Sequence, residues 1–129
     1  MEWLKISTSV EMVRVATDEI VYVRADGNYS DFVLTNGKRR KMTFQLHFFE
    51  EAFRQLRSNP FVRVGRSLIV NKRYVHVINL TDQLLLFTGK GLSDGVKLQD
   101  DHGHPIHPSR ESLKQLMDIM MEEKGDGNE

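Results

Sequence analysis

The dipeptide Asn36-Gly37 constrains this chain more than any other feature, because between two patterned segments it is the strongest short-range hairpin signal. Both residues tolerate the positive φ that a tight hairpin turn demands. The segment before it, Tyr29 to Thr35, alternates: Phe32 and Leu34 take one face, and Tyr29, Asp31 and Val33 the other. Its return strand is the basic run Lys38-Arg39-Arg40-Lys41. Just upstream, the β-branched and aromatic stretch Ile20 to Ala25 reads as a strand, and Asp26-Gly27-Asn28 supplies a second reversal. Antiparallel sheet is therefore the expected framework.

The flanking segments extend this pattern. Trp3 to Ser7 and Glu11 to Ala16 alternate apolar and polar residues as short strands do. After Met42 the period changes: Leu46, Phe49, Ala52, Phe53 and Leu56 recur at spacings of three and four, which predicts one helix, ended by Ser58-Asn59-Pro60. In Phe61 to Asn71, Val62 and Val64 share one side of an extended segment, and Leu68 to Val70 form a second apolar run. Between these runs lies Gly65-Arg66-Ser67, with Arg63 just behind it. Tyr74 to Leu80 and Leu84 to Phe87 read as strands, and Val96 to Gln99 with His104 to His107 as a hairpin around Asp101-His102-Gly103. A C-terminal helix follows Pro108, with Ser109 as N-cap, Glu111 in its first turn, and Leu113, Leu116, Met117 and Met120 on one stripe.

With 129 residues, 40% of them hydrophobic and 28% charged, the chain is expected to be one soluble domain with a core of its own. No cysteine is present, which excludes disulfides, thiol catalysis and cysteine-ligated zinc. The N-terminus carries no basic region followed by an apolar run, and no stretch approaches membrane-spanning length, so a cytoplasmic protein without a membrane partner is expected. Formal net charge is zero, yet residues 122–129 hold four acids against Lys124 alone. Residues 1–121 therefore carry 17 basic and 14 acidic side chains, a balance of +3, ahead of an acidic tail expected to be disordered.

Catalytic signatures are missing: there is no phosphate-binding glycine loop, no Gly-x-Ser-x-Gly elbow, and no recognisable pair of carboxylates. An enzyme, a cofactor and a small-molecule substrate are therefore not expected. His102, His104 and His107 are the one cluster suited to a metal, but His102 falls in a turn and no acidic fourth ligand is fixed by spacing. No metal site is expected.

The basic and polar residues at turns point elsewhere. Arg66 on a rigid rim can make bidentate hydrogen bonds to a phosphate or a guanine edge, although by itself it is as readily a surface arginine beside a turn. Ser109-Arg110 opens a helix, whose N-terminal N–H groups favour an anion; the plain alternative is a capped helix with a solvated arginine. Tyr29 suits cross-strand packing, or contact with a sugar, phosphate or thymine methyl.

In order, these stretches resemble one family. Glu19-Ile20-Val21-Tyr22-Val23-Arg24-Ala25-Asp26-Gly27-Asn28-Tyr29, the helix with Leu46 and Phe49, Phe61-Val62-Arg63-Val64-Gly65-Arg66-Ser67-Leu68-Ile69-Val70-Asn71, and Pro108-Ser109-Arg110 are together similar to the LytTR DNA-binding domains of bacterial transcription regulators. The resemblance spans about residues 19–116, within a single domain of 1–121. It implies a mainly β fold, an elongated set of small antiparallel sheets with one mid-chain and one C-terminal helix. It also implies sequence-specific binding of double-stranded DNA through loops that enter successive major grooves. The family's base-reaching positions fall on or next to Tyr29, Arg66 and Arg110; Asn28, Arg63, Ser67 and Ser109 are neighbouring candidates for backbone or water-mediated contacts. Lys38, Arg39, Arg40, Lys41, Lys72 and Arg73 are candidate phosphate contacts, and Asn71 is expected to fix a turn instead.

Relatives usually carry a receiver or membrane segment, so a stand-alone form, acting on paired sites with itself or a related regulator, is expected. The alternative is a protein-interaction module of the same fold that has lost DNA reading and modulates a related regulator. The family's use of histidine at the Tyr29 position in some members leaves base preference open.

Overall fold

A computed structural model describes residues 2–123. Nine strands form three antiparallel sheets: a hairpin of β1 (Trp3–Ser7) and β2 (Met12–Ala16), a central five-stranded sheet, and a hairpin of β8 (Val75–Asn79) and β9 (Leu84–Phe87). The central sheet contains β3 (Ile20–Asp26), β4 (Tyr29–Leu34), β5 (Arg39–Met42), β6 (Phe61–Arg63) and β7 (Leu68–Asn71), in the order β5-β4-β3-β7-β6. Helix α1 (Leu46–Arg54) bridges β5 and β6, and α2 (Arg110–Glu122) closes the described chain. The mainly β class expected from the sequence is the observed one.

The central sheet is buried on both faces. Ile20, Val23, Phe32 and Ile69 face Leu46, Phe49 and Phe53 of α1 and Leu4, Ile6 and Val15 of the first hairpin. Val21, Tyr22, Val33, Leu68 and Val70 face Leu85, Val96, Leu98, Leu113 and Leu116. This is why Leu68-Ile69-Val70 is a continuous apolar run: its side chains alternate between two cores. In β3 the neighbours Val21 and Tyr22 both join the second core, and the pairing register with β4 shifts between Ile20 and Tyr22. A bulge there supplies the extra residue that breaks strict alternation.

Four expectations are corrected. Helix α1 ends at Arg54 rather than at Ser58-Asn59-Pro60, because Gln55 and Leu56 donate to the carbonyls three residues back, tightening the last turn. Tyr74 ends a short 3₁₀ turn, Lys72–Tyr74, and the strand begins only at Val75. The hairpin of 96–99 with 104–107 shrinks to the single bridge Gln99 with Pro105: proline has no N–H with which to continue a ladder. Instead Asp100 accepts the backbone N–H groups of His102 and His104, both at 2.9 Å. Finally, Glu122 belongs to α2 and the Glu123 carboxylate accepts from Lys72 Nζ, so the proposed disordered tail cannot begin at 122; residues 124–129 lie outside the described part.

Candidate nucleic-acid interface

The antiparallel pairing of β3 with β4 and β7 brings the loops of interest to one end of the central sheet. Asp26 pairs with Tyr29 across the Gly27-Asn28 turn, Arg24 pairs with Leu68, and the Ala25 N–H donates to Ser67 O at 2.8 Å. The Arg66 turn therefore lies beside the Tyr29 turn. On its other side, Gly65 adopts φ +70, and a Cβ there would stand 2.9 Å from Ser112 Oγ at the start of α2. Glycine thus serves both the left-handed backbone and the close approach of the turn to the helix.

Arg66 lies between two concavities. One of about 240 Å³ is lined by Gly27, Tyr29, His47, Arg63 and Arg66. The other, about 480 Å³, is lined by Arg24, Arg66, Ser67, His107, Ser109 and Ser112, over an apolar floor that includes Val64, Leu68 and Ile106. Tyr29 is 47% exposed, and Asn28, Arg66, Ser67, Ser109 and Arg110 are exposed as well. Ser109 caps α2, its Oγ accepting from Ser112 N at 3.1 Å, which sets Arg110 as the first residue of the helix.

Ion pairing divides the cations. Register places Arg24, Asp31 and Lys41 abreast on three neighbouring strands. Fully buried Asp31 accepts from Arg24 Nε at 3.1 Å and Arg39 Nε at 3.0 Å through its Oδ2. Lys41 Nζ reaches Asp101 at 2.6 Å and Asp26 at 2.9 Å, and those hydrogen bonds, Asp101 first, raise its pKa. Arg39 also donates to Gln99 O at 2.7 Å, and Arg40 lies 3.7 Å from Glu11. Arg73 pairs with Asp18 at 2.7 Å and Lys72 with Glu123. Among the described residues, no carboxylate partner is found for Lys38, Arg66 or Arg110.

Position separates the candidates too. Lys72 and Arg73 follow β7 at the end opposite Arg66, about 13 Å away for a four-residue strand. Asn71 is buried, donates to Ile20 O at 3.0 Å and accepts from Arg73 N at 3.0 Å, so it fixes the turn. Arg63 turns its guanidinium back onto its own loop and onto Glu50.

His47, Arg24 and Ser112 were not singled out from the sequence. His47 occupies the second position of α1 and carries no signal beyond that; Arg24 and Ser112 reach the concavity only through the pairing of β3 and the docking of α2. Among the described residues, no group of three or more His, Asp or Glu is arranged to hold a metal. No described helix is long and apolar enough to cross a membrane.

Comparison with known proteins agrees with this fold. A solved LytTr DNA-binding domain from Bacillus cereus superposes with a TM-score of 0.58 at 17% identity, covering 93% of this chain and 97% of that one. No curated protein matches the chain. The model of the LytTr DNA-binding domain matches residues 10–121, nearly the whole described fold. The chain therefore belongs to the LytTr DNA-binding domain family, whose domains serve DNA binding in transcription regulation.

Proposed function

We propose that this domain reads a specific duplex sequence through three loops set side by side, with Tyr29, Arg66 and Arg110 reaching base edges in successive major grooves. The observation that carries this reading is the place of Arg66. It borders the concavity that holds Tyr29 and the one that holds Ser109, and no described carboxylate neutralises it. A guanidinium left unpaired on a rigid turn can donate to phosphate oxygens or to guanine O6 and N7 in bidentate fashion. Asn28, Ser67 and Ser109 offer hydroxyl, amide or backbone donors to the intervening sugar-phosphate chain. Lys38, although unpaired among the described residues of the basic run, follows the Asn36-Gly37 turn at the end of β4 remote from Tyr29, so a phosphate contact there would lie away from the three loops.

The biological setting that follows is a bacterial regulator acting in the cytoplasm, without catalysis. A domain of this size gains useful affinity on paired sites, so two copies on repeated half-sites are expected. Selection from random duplex, followed by sequencing and a salt titration on the winning duplex, tests the reading. Enrichment of one motif, with log K falling by about 0.9 per log salt for each neutralised phosphate, is the expected result. Absence of any enriched motif, with no salt-dependent binding, would favour the protein-interaction module instead.

A further inference from the structure

Arg63 spans three groups with one guanidinium. Its Nε donates to Gly65 O at 3.0 Å and its Nη2 to Arg66 O at 2.6 Å, while Nη1 meets Glu50 Oε1 of α1 at 2.8 Å. Two successive carbonyls of the turn are thereby held by a side chain that is itself anchored on a helix. The peptide planes on either side of Arg66 follow from these two contacts. We propose that Glu50 and Arg63 form a brace that sets the Arg66 turn before DNA arrives, and so act as positioning residues for sequence-specific recognition. The proposal rests on the reading of Arg66 as a base contact.

Physical scale separates this role from simple stabilisation. Both side chains are 29% exposed, and ion pairs at the surface contribute little to folding. Ordering a loop on binding, by contrast, detracts directly from affinity. The chemistry also requires arginine: a planar fork can hold two carbonyls and a carboxylate together, whereas an ammonium is a single point of charge.

Replacing Glu50 by alanine gives a test with opposed signs, and alanine preserves helix propensity at this half-buried position. Loss of a negative charge near a phosphate-binding face should, through electrostatics alone, tighten DNA binding. The brace predicts the reverse on the selected duplex: about three- to tenfold weaker binding by Glu50→Ala, with affinity for random duplex unchanged or higher. Arg63→Lys should show the same loss of discrimination. In the free full-length chain, NMR order parameters across residues 65–67 should fall in both variants. Unchanged order parameters, or selected-duplex binding by Glu50→Ala as tight as wild type, would overturn the brace. If the variants loosen the turn but the wild type selects no duplex, the DNA reading fails and the brace stands only as a structural feature of the turn.

Discussion

The strand β5 and the Arg66 turn are both basic, yet they present opposite electrostatic situations. Along β5, Arg39 and Lys41 are turned toward Asp31, Asp26 and Asp101, and Arg40 leans toward Glu11. At the turn and at the start of α2, Arg66 and Arg110 meet no carboxylate among the described residues. Three of the four contiguous basic residues thus have their charge engaged within the fold, while single arginines mark the surface left open to an anion. Local density of Lys and Arg in a sequence is a weak guide to a nucleic-acid face; pairing decides it.

Replacing Asp31 by alanine gives the largest expected effect and probes the β5 side of this contrast. It would remove the fully buried carboxylate shared by half-buried Arg24 and Arg39, leaving Arg24 only Asp26 and Asp101. Removing one partner of a buried ion pair costs roughly 3–5 kcal/mol, to be read from urea unfolding. A loss well under 1 kcal/mol would mean that the network is not held as described.

Arg66→Ala and Arg110→Ala come next and probe the other side. Each should weaken binding to the selected duplex by about 1–3 kcal/mol and relax preference at one position, measured by gel shift on single-base variants of the site. Thermal stability should barely change. If instead both variants bound and discriminated like wild type, the contrast between paired and unpaired cations would lose its functional meaning.

Lys41→Ala should have a smaller effect on DNA. Its ammonium is engaged by Asp101 and Asp26, so the salt slope on the selected duplex should stay unchanged rather than drop by the roughly 0.9 that a lost phosphate contact brings. A drop of that size would move β5 into the interface.

The smallest effect is a titration in the segment that β5 holds. Asp100 has its pKa lowered to about 2, first by the backbone hydrogen bond from His104 and then by burial-opposed help from the His102 N–H. A depressed carboxylate pKa means that its stabilising contribution is complete above the unfolded value, near 3.8, and is lost as pH falls through about 2. Amide resonances of His102 and His104 should therefore shift with a midpoint near 2; a midpoint near 3.8 would show that the turn is not closed by Asp100.

Much of the architecture was legible because it follows from local rules. Asn36-Gly37 forces a hairpin between β4 and β5, and the three-and-four spacing of Leu46, Phe49 and Phe53 gives the apolar face of α1. Ser109 caps α2 where its side chain and position predict. Order along the chain of Glu19 to Tyr29, the helix with Leu46 and Phe49, Phe61 to Asn71 and Pro108-Ser109-Arg110 sufficed to point to the family. Less legible was the stretch from Val96 to His107, where alternation suggested two strands but Pro105 limits the pairing to one bridge.

The sequence by itself determined most of the strands, the apolar faces of the two helices and the main residues that cap and turn them, since those depend on neighbours within a few positions. Only the tertiary structure decided which cations remain open. Arg24, Asp31 and Lys41 lie on three successive strands and meet through strand register, just as Glu50 meets Arg63 through the packing of α1 on the sheet. Charges act through distance in space, so the fate of each arginine was fixed by which strand and helix came to lie beside it.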